Sequence, residues 1–289
     1  MIPKRTILAT PRLKKGFIHG TTFPRTPGRD FAGIVREGPK ELIGKSVFGS
    51  GGNLGFGRDG SHAEFLTVPA FAVLPLPRNA SLEQGAGIGV AYMTAWAAVM
   101  NSARIRKGET VLITGTAGNV ASIATRIAHR LGAKVFGTVR STTGLAKVGN
   151  LPVEAWIDLQ TTDLADGIRA LTAGRGVDVV FDVIGGAMFE KCIQSLALRG
   201  RQVVIASDPA PRVNFNLVDF YHNESRLIGL DSLKLDFEET AEILRSLTPL
   251  IESGELPLPT VETYPLVQGP ELYRGIESST VKGKPVLIP

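Results

Sequence analysis

The chain has 289 residues, 43% apolar and 20% charged, which suits one large or two modest globular domains and excludes a disordered or fibrous chain. A single cysteine, Cys192, excludes an intramolecular disulfide framework and a thiolate metal cluster, so a reducing, cytoplasmic setting is expected. The net charge of +5 traces to the start of the chain, where Lys4, Arg5, Arg12, Lys14, Lys15, Arg25 and Arg29 all precede the first acid, Asp30. No aromatic-basic interleaving or binding motif accompanies that charge, so nucleic acid is not the expected partner. The same acid-free segment also suits an organelle presequence. No run approaches the ~20 apolar residues of a membrane span, and the start lacks the apolar core of a secretory signal.

The predicted elements begin with short apolar runs, FAGIV, KSVFG, AEFLTVP and FAVLPLP, punctuated by glycine and proline. That spacing predicts small antiparallel strands of a barrel-like domain. From Ser81 the long apolar stretch SLEQGAGIGVAYMTAWAAVM predicts one or two buried helices, with Ser81 as N-cap and Glu83 in the first turn. A strand-helix alternation follows. TVLITG is a strand, VASIATRIAHRLGA an amphipathic helix closed by Gly132, and KVFGTV a strand. A helix near 142–149, the strand AWIDL, the helix LADGIRALTA, the strand VDVVFDVIG, the helix AMFEKCIQSLAL and the strand RQVVIAS continue it. Such a series implies a parallel sheet covered on both faces. Residues 236–253 read as a further helix, and the tail after Pro257 returns to short strands with one helix near PELYRGIES.

The sharpest motif is the turn Gly115-Thr116-Ala117-Gly118-Asn119-Val120-Ala121 between the first of these strands and its helix. A strand, a tight glycine turn and a helix N-terminus offer free amides and the positive end of the helix dipole to a pyrophosphate. Against G-x-G-x-x-G/A, Thr116 takes the first position, Gly118 the second and Ala121 the third. An acid at the end of the next strand would hydrogen-bond the 2′-hydroxyl of NAD and repel the 2′-phosphate of NADP. The chain has none there. It reads Arg140-Ser141-Thr142-Thr143, in which a guanidinium and hydroxyls suit a phosphate, so NADPH is the expected cofactor.

Taken together, the stretches TPGRDFAGIV (26–35), GRDGSHAEF (57–65), TAW (94–96), the nucleotide turn, GVDVVFDVIGG (176–186) and the closing VKGKPVLIP resemble the medium-chain dehydrogenase/reductase superfamily, in its zinc-lacking quinone oxidoreductase and enoyl reductase branch. The resemblance covers residues from about 16 to the end. It implies an α/β fold, with a Rossmann-type doubly wound parallel sheet over 90–254 and a GroES-like β-barrel domain over 1–89 and 255–289. It also implies Thr94 near the nicotinamide, Val183, Ile184, Gly185, Ala206 and Ser207 along the cofactor groove, and Lys282, Gly283 and Lys284 closing it. With the turn residues Thr116, Gly118, Asn119 and Val120 and the phosphate-facing Arg140 and Ser141, these form the expected cofactor site.

Zinc members carry Gly-His-Glu where this chain reads Gly28-Arg29-Asp30, and they carry four clustered cysteines, so no metal is expected. Relatives have about 30 further residues at the start, so the barrel is expected to be truncated, with an open edge that another segment or a second subunit must cover. The counterpart of a substrate-side Asn-Pro-x-Asp segment is Ala9-Thr10-Pro11-Arg12-Leu13, without its polar pair. The implied activity is hydride transfer from NADPH to a quinone or α,β-unsaturated carbonyl in a homodimer. A nucleotide-binding protein with little or no turnover is the alternative. No catalytic acid is named: Tyr92 lies in an apolar helix and His62 in a glycine-flanked loop.

Overall fold

A computed structural model of the chain describes residues 2–7, 23–140, 148–206, 212–278, 280–281 and 283–289. It divides into two units, one formed by Met1–Met93 with Leu233–Pro289 and the other by Thr94–Ser232.

The first unit holds strands β1 (Ile2–Ile7), β2 (Phe31–Ile34), β3 (Ser46–Gly49), β4 (Phe65–Leu66) and β5 (Leu74–Pro75), followed by helix α1 (Leu82–Trp96). The division between units falls inside α1, after Met93. As the sequence leads one to expect, Ser81 opens this helix with a reciprocal cap: its hydroxyl accepts from the Gln84 amide at 3.2 Å, and the Gln84 side chain accepts from the Ser81 amide at 3.0 Å. The helix breaks at Gly89 (φ −14°, ψ −107°).

The second unit holds β6 (Thr110–Ile113), α2 (Asn119–Arg130), β7 (Lys134–Val139), β8 (Ala155–Asp158), α3 (Leu164–Leu171), β9 (Val177–Asp182), α4 (Phe189–Gln194), β10 (Leu196–Val204), α5 (Leu217–His222) and β11 (Arg226–Gly229), while residues 141–147 of the helix expected near 142–149 lie outside the described residues. Its strands are parallel in the order β11-β10-β9-β6-β7-β8, the doubly wound order of dinucleotide-binding folds. Leu112, Leu164, Ile168, Val177, Val180 and Cys192 pack as its fully buried centre. The burial of Cys192 pushes its thiol well up, which makes it an inert core residue.

One expectation of this unit needs correction. The predicted helix AMFEKCIQSLAL stops at Gln194, because Leu196 already pairs with Val177 on β9 and the Asn223 side chain donates to the carbonyls of Leu196 and Ala197. Tertiary pairing overrides local helix propensity here. The short α5 and β11 were not predicted at all.

The chain then returns to the first unit with α6 (Phe237–Glu252), β12 (Glu262–Pro265), α7 (Gly269–Glu277) and β13 (Pro285–Ile288). Asp236 and Glu239 form a reciprocal capping box that starts α6. Helix α6, which the domain expected over 90–254 would include, falls in the first unit. Gly51 and Gly52 let its Thr240 and Phe237 approach, since a Cβ on either glycine would come within 2.6 Å of those side chains.

The first unit's sheet has the order β12-β13-β1-β2-β3-β5, with β4 on β1. The edge left for another segment or a second subunit to cover is taken by β1. β1 sits between β13 and β2, with Thr6 opposite Leu287 and Lys4 opposite Gly33, so residues 2–7 take up the backbone groups that would otherwise lack partners.

Candidate functional site

The residues that gather at the carboxyl ends of β6, β7, β9 and β10 are those the sequence singles out. Gly115 takes φ +58°, a left-handed value open to glycine, and turns the chain out of β6. Thr116 is buried and acts as a cross-brace: its hydroxyl donates to the Ile113 carbonyl at 2.7 Å and accepts the Thr138 amide of β7 at 2.9 Å. Thr116 thus shapes the turn through its side chain.

Gly118 is the N-cap of α2, and no side chain caps that end. The Ser122 amide is the first to return to the Gly118 carbonyl, which leaves the amides of Asn119, Val120 and Ala121 ahead of the helical ladder. A Cβ on Gly118 would sit 3.1 Å from the Gly115 carbonyl oxygen, and the first turn carries no acid. Ala121, in the first turn of α2, is fully buried. This cradle suits a pyrophosphate on its backbone geometry alone.

Arg140 is exposed at the end of β7 and has no acidic neighbour in sequence. Val183, Ile184 and Gly185 follow β9, and a Cβ on Gly115 would meet Val183 and Ile184 at 3.1 and 3.5 Å, so the two loops lie side by side. The crevice between β6 and β9 is the point where the strand order reverses. Asp182, fully buried, fixes the β9 loop by accepting from the amides of Ile184 and Gly185, the Thr114 hydroxyl and the Gln202 side chain, at 3.0, 3.0, 3.0 and 3.2 Å. Sequence motifs had not assigned it that role. Ala206 follows β10, half-buried. Ser141, Ser207 and Lys282, with residues 9–13, lie outside the described residues.

Comparison with known proteins bears on what such a site belongs to. Residues 120–248 match the family model described as zinc-binding dehydrogenase. A zinc-type alcohol dehydrogenase-like protein of Schizosaccharomyces pombe is 30% identical over 81% of this chain and 69% of its own length. The human quinone oxidoreductase is 28% identical over 92% of this chain and 80% of its own. A phthioceranic/hydroxyphthioceranic acid synthase of Mycobacterium tuberculosis is 34% identical over 90% of this chain, which spans only 12% of that protein. The crystal structure of Escherichia coli quinone oxidoreductase complexed with NADPH superposes with a TM-score of 0.85 at 23% identity, covering 100% of this chain and 90% of that one.

The chain belongs to the medium-chain dehydrogenase/reductase superfamily, in its quinone oxidoreductase branch. Its two units accordingly adopt that superfamily's Rossmann and GroES-like folds, and the chain is an oxidoreductase by family.

The other positions that the medium-chain resemblance brought forward are each tied up within their own unit. Thr94 is buried and donates to the Ser232 hydroxyl at 2.8 Å. Tyr92 is 2% exposed and its hydroxyl donates to the Pro257 carbonyl, which commits it to the core.

Lys284 donates to the Gly87 carbonyl and lies 5.8 Å from the centre of the Tyr92 ring. It also faces Asp30, whose Oδ1 accepts from the Ser50 hydroxyl at 2.6 Å and from the Val90 amide at 2.9 Å. The Val90 amide is the one released by the break in α1 at Gly89, and a Cβ on Gly89 would fall 2.0 Å from that same oxygen. Burial raises the Asp30 carboxyl above the usual carboxylate range, against the pull of Ser50, Lys284, Val90 and Arg29. Burial lowers Lys284 to about 8, partly offset by Asp30.

Arg29, beside Asp30, is 4% exposed, donates to the Leu235 carbonyl at 3.3 Å and stacks over the Phe56 ring. His62 is half-buried and its Nδ1 is 3.4 Å from the Tyr273 hydroxyl, in an apolar cleft of about 370 Å³ within the first unit. Tyr273, which burial raises well above the usual phenol range, is a neighbour that no sequence signal announced.

Proposed function

We propose that the chain is an NADPH-dependent reductase that passes hydride to a quinone or an α,β-unsaturated carbonyl without zinc. The observation that carries this reading is the uncapped α2 N-terminus behind Gly118, followed at the end of β7 by an exposed arginine and no acid. The amides of Asn119, Val120 and Ala121 hold the pyrophosphate, and Arg140, with Ser141, meets the 2′-phosphate. Val183, Ile184, Gly185, Ala206 and Ser207 line the groove. When bound, NADPH supplies the hydride; the protein holds the acceptor in reach and keeps competing water out. The proton that completes the product comes from solvent.

The buried guanidinium of Arg29, at the position of a zinc-binding imidazole in the metal-dependent members, supports the zinc-free reading, because a fixed cation opposes a divalent ion. Strand β11 is an exposed sheet edge with Leu227 44% accessible, which supports a homodimer through it; a single-chain mass in light scattering would remove that part. We place the protein in the cytoplasm.

The deciding experiment measures NADPH and NADH oxidation with 9,10-phenanthrenequinone and with a simple enone, for the chain and for Arg140→Ala. The expected result is turnover with NADPH preferred, and a loss of about tenfold or more in kcat/KM for NADPH alone in the variant, the size of one charged phosphate contact. Binding of NADPH without turnover on any acceptor would leave a nucleotide-binding protein in its place.

A further inference from the structure

The amino-terminal end of the second unit's sheet carries a feature that hydride transfer does not use. Arg104 and Arg106 lead into β6, Arg199 and Arg201 lie in β10, and Arg226 opens β11. These five guanidinium groups and one carboxylate, Glu109, line a groove of about 700 Å³.

That carboxylate is already committed. Arg201 forks onto both Glu109 oxygens at 2.9 and 2.7 Å and also donates to the carbonyls of Ala103 and Arg104, which makes a fixed floor. Arg199 is paired with Glu224 at 2.8 Å. Among the described residues, no carboxylate pairs with Arg104, Arg106 or Arg226, and Arg226 is the register neighbour of Arg201 across β10 and β11. Like charges on adjacent strands are unfavourable unless something neutralises them.

The backbone carries a second cost at the same place. Arg104 and Arg199 hold φ +52° and +65°, a left-handed conformation that disfavours side chains and that is maintained here at two of the five arginines.

We propose that this groove binds a small polyphosphate, a ligand with two or three linked phosphate groups. Bidentate guanidinium forks match phosphate oxygens, and the uncompensated charges of Arg104, Arg106 and Arg226 supply the neutralisation. A concave site favours a compact ligand over a nucleic-acid strand. Among the described residues, no aromatic side chain lines the groove on which a base could stack. The site lies at the opposite end of the strands from the nucleotide turn, so the two are separable by mutation.

The test is titration calorimetry of the whole chain with inorganic tripolyphosphate at low salt. It is run on the wild type, on Arg104→Ala/Arg226→Ala, on the charge reversal Arg106→Glu, and on Arg140→Ala. Far-ultraviolet circular dichroism melts of each variant guard against misfolding, and all of the substituted side chains are exposed. Saturable, salt-sensitive binding is expected, weakened about tenfold or more in the double variant and in Arg106→Glu and retained in Arg140→Ala. Absence of binding, or a loss that follows Arg140→Ala instead, overturns the proposal. A short single-stranded RNA that binds through the same arginines more tightly than tripolyphosphate also overturns it, in favour of a nucleic-acid surface.

Discussion

Two carboxylates, one in each unit, are almost completely removed from solvent and are held in opposite ways. Asp182 accepts from four neutral donors, two of them amides of its own loop, and among the described residues no cation pairs with it. Asp30 accepts from a hydroxyl and one amide and relies on Lys284 and Arg29 for the rest of its compensation. Dipoles supplied by neighbouring backbone suffice where the chain wraps around the carboxylate, as it does after β9. Asp30 instead faces a broken helix and the last strand, and charge from a distant segment substitutes for missing local donors. The two sites should therefore fail differently: the first as a local loosening of the cofactor groove, the second as a loss of the unit itself.

The largest effect is expected from Asp30→Ala. It leaves the Lys284 ammonium buried without its carboxylate and the Val90 amide without an acceptor, which should cost about 3–5 kcal/mol. Chemical denaturation would show this as a lower midpoint with an unchanged slope. A variant within 1 kcal/mol of wild type, taking ~1 kcal/mol as a weak polar contact, would mean that Asp30 contributes no more than its hydroxyl bond.

Asp182→Asn should cost less, about 1–3 kcal/mol, since the amide keeps the shape and one acceptor while turning a donor toward Gln202 or the loop amides. Its clearer signature is functional. With the loop of Val183, Ile184 and Gly185 no longer fixed, NADPH affinity measured by fluorescence titration should fall severalfold while the fold persists. Equal loss of stability in Asp182→Asn and Asp30→Ala would erase the contrast between the two sites.

How much of this was legible in the sequence follows the same division. The turn proposed to cradle the nucleotide is local: Gly115, Gly118 and Ala121 sit within seven residues, each constrained by a turn or a helix contact, so their spacing is readable. The strands and helices of the second unit were equally plain, except where tertiary pairing wins. Leu196 belongs to β10 because Val177 and Asn223 claim it, and β11 is too short and too polar at Arg226 to declare itself.

The first unit is held by separations that no periodicity reports. Asp30 meets Lys284 across most of the chain, Arg29 reaches Leu235, and His62 faces Tyr273. The resemblance to relatives left open whether another segment or a second subunit covers the barrel edge for the same reason: pairing of residues 2–7 with both β2 and β13 is a long-range event. Lys284 was singled out as a cofactor contact, and its place beside Asp30 adds a structural role that sequence spacing could not supply.

The smallest expected effect, and the one that isolates the charge, is on pH dependence. Lys284 titrates at about 8 in the folded chain and at its ordinary value of 10.5 when unfolded. Between those values the unfolded chain binds more protons than the folded one, so this group makes stability rise as pH increases through the window. Below about 8 both states hold the proton and the dependence disappears. Asp30 works in the opposite sense at acid pH: its raised carboxyl keeps a proton that the unfolded chain has released, so its contribution declines as pH climbs from 3.8 toward the folded value. Lys284→Met removes the alkaline component and leaves the acid one. Melting temperatures of wild type and Lys284→Met, compared from about pH 7.5 to about pH 10, across most of the interval between the folded and unfolded Lys284 values, should diverge upward in favour of the wild type. Parallel curves would mean that Lys284 is solvated in solution and that Asp30 is held, like Asp182, by dipoles alone.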